Sequence, residues 1–161
     1  DCRAVLCRKG FAVPLTKDHK PFWSEEKIRI NNVNKKYNLN NEIHFDGGDW
    51  RIGDLSVFRS FGDLDNTPHV THIPESFNYK LRSDDEFIIL SCDGLWDCVE
   101  NHEAVNFVHD HVNNNQIDLY NIKYIYPTKE IAKQKNIARK LAEYAIAKGS
   151  TDNISILIIF F

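Results

Sequence analysis

The sequence predicts an α+β protein in which mainly antiparallel strands form the core and amphipathic helices pack on a sheet face. Short apolar segments outnumber helical patterns along the chain, and two of them, 86–92 and 153–161, are apolar at almost every position. The two strongest helical patterns come late, at 102–112 and 129–148. The 161 residues suit one domain, and no internal repeat divides them.

Composition and charge narrow the classes of partner. Hydrophobic residues make up 42% and charged residues 27%, as in ordinary globular proteins. A net charge of −3 provides no basic field, so we expect no nucleic-acid partner. No apolar run approaches the roughly 20 residues that span a bilayer, so we expect no membrane partner. The spacing of the four cysteines favours reduced thiols in an intracellular protein, cytoplasmic or nuclear.

The first 81 residues predict strands, one helix and several turns. Two apolar runs, 2–7 and 11–16, are separated by a turn that contains Gly10, which predicts a β-hairpin. Ser24, followed by two glutamates, predicts the start of a short helix over 24–32, and the Asn-rich segment after it predicts a loop.

The next segments carry turn and strand patterns. Three glycines in 45–54 predict an irregular, turn-rich segment. Segments 69–73 and 77–81 alternate between apolar and polar residues, which predicts strands with one exposed face.

The remaining elements are two strands and two helices. Segments 86–92 and 153–161 predict strands buried on both faces. The first helix begins near Asn101 and carries an apolar stripe to residue 112. The second helix, over 129–148, has Thr128 as its predicted N-cap and Gly149 at its C-terminal end.

Acidic residues stand where the two buried strands meet turns. Asp93 ends one strand, Asp152 precedes the other, and Asp97 follows Asp93 by four residues. Asp-Gly and Asp-Asn are also common turn and capping pairs, so either acid alone has an ordinary structural explanation. If the carboxylates converge, a cation must neutralise them, and Mg²⁺ or Mn²⁺ suits oxygen ligands. Two such ions about 3.5–4 Å apart can aim a hydroxide at phosphorus.

Four segments carry a family resemblance. FIILSCDGLWDCVENHEAVNFV resembles the Asp-Gly-Leu-Trp-Asp motif of the type 2C metal-dependent Ser/Thr protein phosphatases, and KGSTDNISILIIF resembles their Gly-Ser-x-Asp-Asn motif. LSVFRSFGD is similar to their Leu-Ala-Val-Ser-Arg-Ala-x-Gly-Asp segment. DCRAVLCRKGFAVPLTKDHKP is similar to the stretch that begins Gly-Asp-Ser-Arg and ends Asp-His-Lys-Pro. The four segments occur in the family's order and cover nearly the whole chain.

The resemblance implies a fold and a site. The fold would be part of a four-layer α/β/β/α sandwich. Asp93 and Asp152 would be ligands of a centre with two Mg²⁺ or Mn²⁺ ions, and Asp97 and Asp1 would join Asp93 at a third, weaker metal site. Arg51 would lie in the mobile flap beside the site. The implied substrate is a phosphoprotein, hydrolysed at phosphoserine or phosphothreonine.

The resemblance also implies that part of the site is missing. The family's N-terminal half supplies another metal-bridging Asp-Gly pair, a phosphate-binding Arg and a His proposed as general acid, and none of these is in the sequence. We therefore expect residues 1–161 to be the C-terminal part of one phosphatase-like catalytic domain, inactive alone, which pairs with an N-terminal half or a dimer mate. The alternative is a catalytically incomplete, phosphatase-like binding or scaffold protein.

Overall fold

A computed structural model describes residues 1–20, 23–40, 43–113 and 136–161. These residues form two compact units. Residues 2–17 and 81–161 form the first, which we call the sheet unit, and Asp1 with residues 18–80 forms the second, which we call the helix–hairpin unit. In chain order the strands and helices are β1 (Arg3–Arg8), β2 (Phe11–Pro14), α1 (Ser24–Tyr37), β3 (His44–Asp46), β4 (Asp49–Arg51), β5 (Asp85–Ser91), α2 (Asp93–Trp96), α3 (Asn101–Asn113), α4 (Ile137–Ala147) and β6 (Ile156–Phe160).

The sheet unit is built on four antiparallel strands in the order β2-β1-β5-β6. The β1–β2 hairpin is confirmed, and its turn places Lys9 and Gly10 at φ 49° and 76°, the left-handed region that glycine tolerates best. β5 is the predicted central strand, with β1 on one side and β6 on the other. The α+β class with antiparallel strands is therefore confirmed.

The core of the sheet unit lies between one sheet face and the helices. Side chains of β1 and β5 on this face pack against α2, α3 and α4. The predicted apolar stripes of both long helices are buried there, through Ala104, Val105, Val108, Ile137, Leu141 and Ala145. Gly149 follows α4 at φ 101°, as predicted, whereas Thr128 and the first part of the predicted helix lie outside the described residues. None of the described helices combines the length and apolar character that crossing a bilayer requires.

β6 differs from its prediction of burial on both faces. It is the outer strand of the described sheet, and its side chains alternate between partly buried and exposed. Leu157 and Ile159 are 57% and 43% exposed. Ile156 and Ile158 point to the helix-covered face, so the residues between them point to the opposite face. A continuous apolar run does not reveal that only one of its faces is covered.

Helix α1 of the helix–hairpin unit is longer than predicted. It runs for 14 residues to Tyr37, so the loop expected from residue 33 is wrong as far as 37. Trp23, not Ser24, is the N-cap, and the Ser24 hydroxyl donates instead to Glu25. Burial of Ile30 anchors the helix, and Asn38 at φ 53° ends it in the left-handed conformation.

Of two other predictions for this unit, one is confirmed in part and one is wrong. The glycine-rich segment 45–54 is turn-rich as predicted, with Gly47, Gly48 and Gly53 at positive φ, but it is not irregular throughout, because β3 and β4 form a short hairpin. Segments 69–73 and 77–81 are not strands. Thr71 makes only an isolated bridge to Arg59, and residues 77–81 are exposed and belong to no described strand. Strand preference depends on a neighbouring strand with which to pair, and the pattern alone does not supply one.

Candidate active site

The first acidic corner follows strand β5. Cys92 leaves the strand, and Asp93 opens the single turn of α2. The Asp93 carboxylate accepts a hydrogen bond from the Gly94 N–H at 3.0 Å. The Asp97 N–H donates to the Asp93 carbonyl oxygen at 2.8 Å, so the two acids lie one helical turn apart. Asp93 is half-buried and Asp97 is exposed.

The second acidic corner precedes strand β6. Asp152 is exposed, and its carboxylate accepts a hydrogen bond from the Asn153 N–H at 2.6 Å. Because β6 runs antiparallel to β5 with Ile156 opposite Ser91, both corners lie at the same end of the sheet. The strand topology therefore places Asp93 and Asp152 at the same end of neighbouring strands, as predicted.

The two corners touch through Gly94. A Cβ atom at this position would collide with the main-chain oxygen of Asn153, so only glycine permits the approach. The Ser150 hydroxyl donates to the Gly94 carbonyl oxygen at 2.6 Å. The backbones that carry Asp93 and Asp152 are therefore fixed against each other.

Cys92 adds a second connection that the sequence analysis did not identify. Its sulfur lies 3.3 Å from the Asn153 carbonyl oxygen, to which the thiol donates, and 3.3 Å from the Ser155 N–H, from which it accepts. The Cys92 N–H also donates to the Ser155 carbonyl oxygen at 3.4 Å. The only signal in the sequence was its place directly before Asp93, and its partners are some 60 residues away.

The donors at the two corners suit Mg²⁺ or Mn²⁺ in type. Carboxylate oxygens are the ligands these ions prefer, and Asp93 and Asp152 provide them from adjoining corners. Among the described residues, however, no three His, Cys, Asp or Glu side chains come together in a group that could hold a metal ion. Each ion takes about six oxygens. The two corners therefore bring together two carboxylates but no three-ligand cluster among the described residues.

Asp1 and Arg51 belong to the helix–hairpin unit. Asp1 forms an ion pair with Lys20, whose ammonium also lies 3.6 Å from the Asp49 carboxylate. Arg51 donates hydrogen bonds to two main-chain oxygens that are close to it in sequence. Nη1 donates to the Asp54 carbonyl oxygen at 2.6 Å, and Nε donates to the Asp46 carbonyl oxygen at 3.4 Å. Both side chains therefore have partners within this unit.

A buried ion-pair network in the same unit was also absent from the sequence analysis. Glu26 is 3% exposed and accepts hydrogen bonds from Arg59 Nη2 at 2.6 Å and Arg29 Nε at 2.8 Å. Burial alone would raise the pKa of Glu26, but the bonds from both guanidinium groups outweigh it and hold this pKa below its ordinary value. The network fixes α1 to the segment around residue 59.

Comparison with known proteins places the chain in a family. The family model described as protein phosphatase 2C matches residues 1–154. The chain belongs to the protein phosphatase 2C family. It is 66% identical over 161 residues to a PP2C-like domain-containing protein of Acanthamoeba polyphaga mimivirus and 38% identical over 160 residues to probable protein phosphatase 2C 32 of Oryza sativa subsp. japonica.

Solved structures agree on the fold of this protein phosphatase 2C chain. It matches a phosphatase from a pathogenic strain of Toxoplasma gondii with a TM-score of 0.73 and 26% identity, over 99% of the chain and 45% of that protein. It matches a C. elegans sex determining protein with a TM-score of 0.79 and 24% identity, over 99% of the chain and 35% of that protein.

The length of this protein phosphatase 2C chain differs from that of many relatives. The alignment with the mimivirus relative covers all of this chain and 90% of that protein. It spans 36% of the rice relative named above and 43% of probable protein phosphatase 2C 59 of Arabidopsis thaliana. The chain is therefore matched in length by the viral relative and is less than half as long as these plant relatives.

Proposed function

We propose that the chain supplies Asp93 and Asp152 to a two-metal centre that hydrolyses phosphoserine and phosphothreonine in proteins, and that a further polypeptide segment completes this centre. The observation that carries the proposal is the contact between Gly94 and Asn153, which holds the two acidic corners together. A two-metal centre needs its carboxylate ligands held at a fixed separation, and this contact fixes the backbones that carry them.

Each residue has a stated part in this proposal. Asp93 and Asp152 provide hard oxygen donors for Mg²⁺ or Mn²⁺, and Gly94 and Cys92 fix the distance between the corners. Two metal ions held there would supply an activated water and charge stabilisation at phosphorus. Asp97 and Asp1 would hold a third, weaker ion with Asp93, which requires Asp1 to exchange Lys20 for the metal.

The state of the four cysteines is consistent with an intracellular location. Cys2, Cys7, Cys92 and Cys98 are all free. Burial, with the charge of Glu86 beside it, raises the pKa of Cys7 to about 11, so this thiol is unreactive. We propose a cytoplasmic or nuclear location, where free thiols persist.

A phosphatase-like binding or scaffold protein is the second candidate. It is favoured by the lack of a three-ligand cluster among the described residues. It is also favoured by the mimivirus relative, which is named PP2C-like and is little longer than the chain. In this alternative the acidic corners keep the family's fold but perform no hydrolysis.

Phosphatase assays separate the two candidates. The chain alone is compared with a fusion in which the corresponding upstream part of the rice relative precedes it, using para-nitrophenyl phosphate at limiting Mn²⁺. The proposal predicts an inactive chain and an active, Mn²⁺-dependent fusion. Asp152→Asn in the fusion should remove most of this activity, whereas Asp110→Asn, a change on exposed α3 surface, should not. A folded fusion that stays inactive at saturating Mn²⁺ supports the binding protein instead.

A further inference from the structure

The helix–hairpin unit contains a groove that has no part in the proposed phosphatase centre, although Trp50 in its wall directly precedes Arg51 of the segment that resembles the family's flap. Its volume is about 710 Å³, and it lies along helix α1 beside the β3–β4 hairpin. Basic, amide and apolar side chains line it: Lys27, Ile30, Asn31, Asn34, Lys35, Asn38, Leu39, Asn40, Ile43 and Trp50.

A row of polar side chains follows one face of α1. Lys27, Asn31, Asn34 and Asn38 are spaced by four, three and four residues, so they lie in line on the helix. At about 1.5 Å per residue this row is about 17 Å long. An asparagine amide both donates and accepts, as does each peptide unit of an extended chain. Neighbouring asparagines lie about 5–6 Å apart, close to the roughly 6.6 Å repeat of alternate residues in an extended peptide.

Part of this row is already fixed in place. The Asn34 amide oxygen lies 2.7 Å from Nε2 of His69, which is only 2% exposed. This bond holds the side chain of Asn34 against the floor of the groove. A ligand therefore meets a row whose middle member loses little freedom on binding.

The charged residues among the described lining residues are both basic and lie apart from each other. Lys27 and Lys35 are its charged lining residues, and no described carboxylate lines it. They are eight positions apart, which is about 12 Å along the helix axis. A compact polyphosphate would need cations close together, whereas two separated ammonium groups fit an extended ligand with separated carboxylates.

Trp50 provides an apolar contact at one side of the groove. Its ring is 38% exposed, and Lys27 Nζ lies 5.6 Å from the ring centroid. Tryptophan is enriched at binding interfaces, and this ring could contact a peptide side chain over a large area.

We propose that this groove binds an extended acidic peptide segment of another protein, with two carboxylate side chains four residues apart. Four residues of extended chain span about 13 Å and bring both carboxylates to the same side, matching Lys27 and Lys35. The asparagines bind the peptide main chain, and Trp50 contacts an apolar side chain between the acids. This binding does not depend on the proposed phosphatase activity.

Fluorescence anisotropy of a labelled peptide tests the proposal on the full chain at low ionic strength. The probe is an eleven-residue Ser/Ala peptide with a central Leu and two Glu residues four positions apart, and the control peptide carries Gln in place of both Glu. We expect the Glu peptide to bind about tenfold more tightly than the Gln peptide and to weaken as salt screens the charges.

Neighbouring residues of α1 give matched control variants. Lys35→Glu should weaken binding about tenfold, because it places a like charge beside the ligand. Lys36→Glu makes the same charge change on the adjacent residue, which lines a different groove with Asn32, and should leave binding within about twofold. Asn31→Ala and Asn32→Ala form a second pair. Asn31→Ala should weaken peptide binding, because Asn31 lines the groove, whereas Asn32→Ala should leave binding within about twofold. Far-UV circular dichroism checks each fold, and Lys35→Gln replaces Lys35→Glu if the latter does not fold.

Three results would overturn the proposal. Equal affinity for the Glu and Gln peptides would show that carboxylates are not recognised. Equal weakening by Lys35→Glu and Lys36→Glu would show a general charge effect rather than a site. Tighter binding of a ten-nucleotide single-stranded DNA, competing with the peptide, would assign the groove to nucleic acid.

Discussion

Gly94 lies so close to the main-chain oxygen of Asn153 that a Cβ atom at residue 94 cannot fit. The neighbour is backbone, so it cannot turn aside as a side chain would. This relationship joins a turn after β5 to the turn before β6 and fixes the positions of the two acidic corners.

Gly94→Ala should therefore push the corners apart. We expect it to lower the free energy of unfolding by about 2 kcal/mol, because a crowded site must move its backbone. Urea denaturation followed by circular dichroism measures this. The matched variant Ser150→Ala removes only the hydroxyl that donates to Gly94 and should cost about 1 kcal/mol. A Gly94→Ala chain as stable as the original would show that the approach is not tight.

Cys92 is predicted to hold the same corners by hydrogen bonds. Cys92→Ala removes both bonds of the thiol and should lower the free energy of unfolding by about 1 kcal/mol, whereas Cys92→Ser keeps a donor and acceptor and should lose less. Cys2→Ala is the control, because Cys2 is exposed. If alanine and serine at position 92 behave alike, the thiol has no such role.

Glu26 should make stability depend on pH. Its folded-state pKa lies below the ordinary 4.5, so its contribution is complete above that value and is lost as pH falls through the folded-state pKa. Glu26→Gln should lower the free energy of unfolding by about 2 kcal/mol at pH 7, since the partly buried Arg29 and Arg59 lose the charge of their buried partner.

The difference between the original chain and Glu26→Gln should shrink as pH falls through the acid range. Urea denaturation at several pH values measures it. Glu143→Gln breaks an exposed pair with Arg139 and should change stability by less than about 0.5 kcal/mol. A difference that stays constant with pH would show that the charge of Glu26 is not what stabilises the unit.

The exposed side of β6 should promote self-association. Leu157 and Ile159 present an apolar surface on an outer strand that carries no charged residue among positions 156–160. Such strands tend to pair with other chains. We expect sedimentation velocity to show concentration-dependent dimers, which Ile159→Lys reduces and Asp110→Asn does not. A chain that remains a compact monomer at all concentrations would contradict this prediction.

Local patterns predicted much of the fold. The β1–β2 hairpin, strand β5 and helices α3 and α4 followed from apolar periodicity and from Gly10 and Gly149, because these signals act within a few residues. The C-terminal end of α1 and the exposure of one face of β6 could not be predicted from such local patterns. In the unpredicted part of α1, Asn34 bonds to buried His69, some 35 residues away, and the exposure of Leu157 depends on which elements cover the sheet.

The candidate site was predicted in part for a similar reason. Asp93 and Asp152 were found from their positions at strand ends and from the family resemblance. The contacts that hold them, from Gly94 and Cys92 to residues near 153, join segments about 60 residues apart, and no local pattern encodes such pairs. The groove along α1 also requires the hairpin to fold beside the helix, which the sequence did not predict.

Binding of Mn²⁺ tests the central claim most directly. Electron paramagnetic resonance measures free Mn²⁺ during titration of the fusion with the upstream part of the rice relative, and of its Asp93→Asn and Asp110→Asn variants. If Asp93 is a metal ligand, Asp93→Asn should weaken Mn²⁺ binding by about 100-fold or more, while Asp110→Asn leaves it unchanged. Equal Mn²⁺ affinity in the fusion and its folded Asp93→Asn variant would contradict the account.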